Sequence, residues 1–176
     1  GHGTHVAGII AAQRDNGLGG SGVSPNVKIM PIRASSVAGT LTATSTIKAL
    51  NYAIENGAHV VNMSFGGYTA STMEREAYAA AREHVILIVA AGNESRATST
   101  AMSYPAAYPG ILGVMSTDQR PQADGDYVSY FSNFDNLADD GIGYEVMAPG
   151  AAILSTVNSS NSSYDYKSGT SMATPH

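Results

Sequence analysis

Serine, histidine and asparagine side chains that could act on a carbonyl stand at separate places in the chain. In residues 168–176 (SGTSMATPH), Gly169 permits a tight approach, Ser171 falls where a helix would begin, and Pro175 suits a first helical turn, where its missing N–H costs little. A serine so placed has unpaired backbone donors around it and a dipole that favours an anion. That is the setting for acyl transfer, which needs a nucleophile beside an oxyanion donor. The hydroxyl is a weak nucleophile alone and requires a base. The histidines are His2, His5, His59, His84 and His176; His2 and His5, three apart, share roughly one face of a small-residue helix. That pair also suits a metal, but no H-E-x-x-H pattern or third ligand is near. Asn93, in a Gly-Asn turn, reads either as an amide donor to an oxyanion or as an ordinary turn asparagine. Ser171 has its own plain alternative as a helix cap.

The elements that must position these groups alternate. Apolar spacing predicts helices over 4–13, 44–56 and 71–83, and strands over 27–34, 60–64, 85–91, 111–117, 144–147 and 152–157. Pro31 restricts the second half of the first strand to an edge or an unpaired side. The run 85–91 (VILIVAA) is continuous and β-branched, the kind that parallel sheets bury. Alternating strands and helices give an α/β fold with right-handed crossovers. Open sheets of this kind bind ligands beyond the carboxyl ends of their strands, where 62–67 (NMSFGG) and 92–94 (GNE) fall. The loop 118–143 carries six Asp residues and no long apolar run, and reads as solvated.

The chain has 176 residues, 43% hydrophobic and 13% charged, with a formal charge of -5 and no cysteine. It fits one domain. A basic nucleic-acid face, a polybasic anchor, a disulfide scaffold and thiolate zinc are excluded, and no apolar run reaches the roughly 18 residues that span a bilayer. The chain opens at Gly1 without an initiator Met and stops at His176, which reads as a segment of a longer chain.

GHGTHVAG at 1–8 and GTSMATPH at 169–176 resemble the histidine and serine signatures of subtilisin-like serine proteases. NMSFGG (62–67) and AAGNES (90–95) are similar to that family's substrate-binding strand and oxyanion-asparagine segments. The motifs occur in family order over essentially the whole chain. The resemblance implies a three-layer α/β/α fold with a mainly parallel sheet, truncated at both ends, residues 1–176 being part of a peptidase catalytic domain. It implies His2 as general base, Ser171 as nucleophile and Asn93 as oxyanion donor. Ser64, Phe65 and Gly66 would pair with substrate, Ala90, Ala91 and Gly92 would form the opposite pocket wall, and Ser103 its floor. The family order is Asp, His, Ser, so the triad aspartate would lie upstream of Gly1 and residues 1–176 alone would be nearly inactive. The loop 13–22 resembles a calcium loop, with Asp15 and Gln13 as side-chain ligands; a plain Gly-rich turn is the alternative. The resemblance further implies a monomeric, extracellular or cell-surface endopeptidase acting on polypeptides. A catalytically dead peptide binder is the rival reading, as is a specialised processing protease using 118–140 as an exosite. An α/β-hydrolase would need G-x-S-x-G, and the segment Gly169-Thr-Ser171-Met-Ala173 lacks the second glycine.

Overall fold

The computed structural model describes residues 1–120, 127–137 and 143–176. Helix α1 (His2–Ala11) begins two residues earlier than expected, so His2 lies inside its first turn. Helix α2 (Ala43–Glu55) starts at a capping box in which Thr42 and Ser45 each accept from the other's backbone N–H, satisfying two otherwise orphaned donors. Strand β1 (Val60–Met63), helix α3 (Thr72–Ala81, capped by Ser71) and strand β2 (Ile86–Ala90) follow. Then come β3 (Leu112–Thr117), β4 (Val146–Pro149, two residues later than expected), β5 (Ile153–Thr156), β6 (Tyr164–Lys167) and the short α4 (Thr170–Ala173).

Strands β1 to β4 form one parallel sheet in chain order, and β5 and β6 pair as an antiparallel hairpin. The alternation of β2 sends Leu87 and Val89 into a core shared with Leu50 of α2 and Tyr78 and Ala81 of α3. Helix α4 packs over β2, β3 and β4. A second, smaller cluster of Val6, Ile9 and Met172 joins α1 to α4. Helices thus cover both sides of a parallel sheet, the expected layering. The small residues of α1 serve a close approach: a Cβ on Gly8 would lie 2.3 Å from Thr156 Oγ1 of β5.

Two expectations are corrected. Residues 27–34 form no strand. No described segment lies beside them to complete a ladder, Pro31 withholds a donor, and Val27, Ile29, Met30 and Ile32 stay exposed. The acidic stretch 118–140 is not simply solvated: Ser129 and Ser132 are buried against Ser116 of β3, and Asn133 is buried against Ala91 just past β2. Its residues 121–126 and 138–140, and with them much of the suggested exosite, lie outside the described residues.

Candidate active site

Ser171 is the second residue of α4, preceded by Gly169 at φ +154°, a conformation that favours glycine. Its first-turn N–H has no intrahelical acceptor. Ser171 Oγ donates to Ser64 O at 3.1 Å, and Ser64 Oγ donates to Ser171 O at 2.9 Å. Asn62 Nδ2 donates in turn to Ser64 Oγ at 3.0 Å. These bonds clamp α4 to the carboxyl end of β1.

A second clamp ties α4 to the loop after β2. Asn93 Oδ1 accepts from Thr170 N at 2.7 Å and from Thr170 Oγ1 at 3.0 Å, while Gly92 N donates to Thr170 Oγ1 at 3.1 Å. Thr170 is fully buried and Asn93 is exposed. With its oxygen so engaged, Asn93 leaves its Nδ2 without a protein acceptor among the described residues. An amide donor and a serine hydroxyl therefore stand on adjacent, mutually bonded segments.

His2 is exposed at the start of α1, which packs against both α4 and β5. No hydrogen bond joins it to Ser171, whose hydroxyl is turned to Ser64 O instead. Burial of part of the ring, then the charges of His5, Lys167 and the N-terminal amine, hold its pKa below the ordinary histidine value. A neutral imidazole is the state a general base requires. His5 is fully buried, with Nε2 against Asp165 O at 3.1 Å and Nδ1 unpartnered, a structural histidine. Desolvation lowers its pKa too, the hydrogen bond to the Asp165 carbonyl pulling the other way. His59 and His84 are exposed.

The expected substrate-pocket residues converge. A Cβ on Gly66 would lie 2.9 Å from Ser103 Oγ and 3.8 Å from Ala90 O, so only glycine leaves that space open. Gly67 pairs with Tyr104 through two backbone bonds, Gly67 N to Tyr104 O at 2.9 Å and Tyr104 N to Gly67 O at 2.7 Å. Ser103 is buried, its N–H donating to Tyr144 OH at 2.9 Å. Ala90 and Ala91 are buried, Gly92, Ser64 and Phe65 half-buried, and Phe65 packs against the main core.

Gln13 and Asp15 are exposed, and no group of three or more His, Asp or Glu able to hold a metal occurs among the described residues. Calcium takes six to eight oxygens, backbone carbonyls among them; Asp15 and Gln13 on this exposed loop are oxygen donors of the right chemistry, and by themselves supply fewer oxygens than the ion takes.

Asn133 was not legible as part of the site. It is fully buried, and its amide bonds Ala91 O, Tyr68 OH, Glu94 N and Arg96 N. It sits between Phe131 and Phe134 in a mixed aromatic and polar run that has neither a helical stripe nor a strand alternation. The only local hint was Gly92, at φ +108°, whose missing Cβ would fall 2.3 Å from Asn133 Nδ2.

Comparison with known proteins places the chain in a family. The sequence profile of the Subtilase family matches residues 1–176. Thermitase of Thermoactinomyces vulgaris is 38% identical over 177 residues, covering 100% of this chain and 58% of its own. A thermophilic serine proteinase of Bacillus sp. (strain AK1) is 37% identical, covering 99% of this chain and 40% of its own. Among solved structures, S41 psychrophilic protease superposes with a TM-score of 0.86 at 32% identity, covering 100% of this chain and 60% of its own. A cold-adapted subtilisin-like serine proteinase gives 0.81 at 34%, covering 100% and 57%. The chain thus spans about 40–60% of the length of these relatives. With its profile match running from the first residue to the last and its α/β layering shared with solved relatives, this chain belongs to the subtilase family.

Proposed function

We propose that the protein is a serine endopeptidase that hydrolyses peptide bonds through an acyl-enzyme, residues 1–176 forming part of its catalytic domain. The observation that carries this is the placement of Asn93: Thr170, the residue before Ser171, takes up its oxygen and leaves its Nδ2 as donor. Substrate backbone would run along 64–66, with its side chain between that segment and 90–92 over Ser103, a space suited to apolar groups. Ser171 Oγ turns from Ser64 O toward His2, which takes its proton as the oxygen attacks the carbonyl. The oxyanion is held by Asn93 Nδ2 and the Ser171 N–H. His2 then protonates the leaving amine, and water repeats the sequence on the acyl-enzyme. An aspartate contributed by a segment upstream of Gly1 would orient His2, so residues 1–176 alone would turn over little or no substrate. No step is routed through a metal. A monomeric enzyme acting on polypeptides outside the cell or at its surface completes the proposal; one relative is a cell wall-associated protease of Bacillus subtilis.

One observation favours the rival, a peptide-binding relative without turnover: the Ser171 hydroxyl is bonded to Ser64 O and not to His2. A fluorophosphonate probe separates the two. Applied to the full-length protein, with adducts located by peptide mass mapping, it is expected to label Ser171 and to leave Ser171→Ala unlabelled. Absence of adduct on folded protein would favour the binder.

A further inference from the structure

Asn93 is held at both ends, and the second hold involves residues outside the proposed reaction. Its backbone N–H donates to Glu94 Oε2 at 2.8 Å. The same carboxylate oxygen accepts a short hydrogen bond from Tyr68 OH and one from Asn133 Nδ2 at 3.4 Å. Asn133 Nδ2 also donates to Tyr68 OH at 2.8 Å, closing a triangle of phenol, carboxylate and amide. From this triangle Asn133 reaches along the whole loop, bonding Ala91 O and accepting from Glu94 N and Arg96 N, while its own N–H donates to Gly92 O at 2.9 Å. Arg96 lies 4.4 Å above the Tyr68 ring, a cation–π contact that fixes the ring plane. Burial and the hydrogen bond to Glu94 hold the Tyr68 phenol protonated beyond its ordinary range, so it donates at neutral pH. Tyr68 follows the 64–67 segment, so the triangle ties the proposed substrate strand to the loop that carries the amide donor.

We infer that Tyr68 is a positioning residue for the oxyanion donor, fixing the Asn93 backbone through the Glu94 carboxylate and the Asn133 amide. The inference rests on the proposed role of Asn93. An oxyanion donor acts by being in place before charge develops, and small misplacements of such groups are costly. Tyr68 is exposed, and Tyr68→Phe removes only the hydroxyl.

The test is a double-mutant cycle on the full-length protein, reading kcat and KM on a peptide substrate. Tyr68→Phe is expected to lower kcat about tenfold with KM changed by less than about twofold, an effect on pre-organisation and not on binding. In an Asn93→Ala background the same substitution should cost almost nothing, because the group it positions is gone. Glu94→Ala should behave as Tyr68→Phe does, and Glu94→Gln, which keeps an acceptor, should recover most of the loss. Equal losses in both backgrounds would show a general structural role and overturn the inference, as would no loss in either. If Asn93→Ala itself leaves kcat unchanged, the oxyanion reading fails, and the inference with it.

Discussion

Lys167, at the end of β6, places a positive charge near both His2 and His5. A base must be neutral to accept the Ser171 proton, and a neighbouring cation disfavours the charged imidazole. The sign follows: Lys167 lowers the His2 pKa, so it extends the neutral form toward lower pH. Removing the charge should raise that pKa and move the acid limb of kcat/KM to higher pH. Lys167→Met is expected to show this shift in a pH–rate profile of the full-length protein, and Lys167→Arg to keep the original limb. Identical limbs in all three would mean that the cation does not sense His2 in the active enzyme. At this scale the sequence was most informative where chemistry demands a residue type within a local motif. His2, Asn93 and Ser171 sit in such motifs, and Thr170 ties two of them together. Asn133 and Tyr68 act through partners 39 and 26 residues from them in the chain, a distance that no local pattern encodes.

Elements show the same division between local and non-local information. Helices α2 and α3 were readable because their caps and apolar stripes are local, and β2 because a buried parallel strand is apolar throughout. The segment 27–34 has a strand's composition, but a strand exists only against a partner, and none of the described residues supplies one. The acidic stretch 118–140 differs in the opposite direction: its Asp residues suggested solvent, yet its residues 127–137 pack under the site largely through hydrogen bonds. Asp135 anchors it. Burial alone would raise its pKa, but hydrogen bonds from Leu137 N–H, Thr98 Oγ1, Tyr144 N–H and Asn136 N–H prevail and lower it. A depressed carboxylate contributes stability that is fully present above the ordinary Asp value of about 3.9 and is lost as pH falls through the lower, folded value. Asp135→Asn is expected to cost about 1–3 kcal/mol at pH 7, since bonds to a charged acceptor are weakened or lost. Urea denaturation across pH should show the deficit shrinking at acid pH. A deficit that stays constant with pH would mean that the charge contributes nothing.

For the whole molecule, what matters is the apolar surface that the described residues leave open. Val60 of β1 and Ile86 of β2 are 51% and 53% exposed, and Val27, Ile29, Met30 and Ile32 lie exposed on a segment without a ladder. β1 is also one of the two edges of the parallel sheet among the described residues. An exposed edge with apolar side chains is a template for pairing with another chain. Residues 1–176 produced by themselves should therefore self-associate and bind a hydrophobic dye such as ANS. Val60→Lys places a charge on the edge strand, the device natural sheets use to block such pairing. It is expected to shift the chain toward monomer in sedimentation velocity and to reduce dye binding. A second charge at Ile29 tests the segment 27–34 independently: if Ile29→Lys alone restores the monomer, association runs through that segment and not through the sheet edge. A wild-type chain that sediments as a monomer without binding dye would show that these side chains find cover within the chain itself, and would overturn the reading of β1 as an open edge.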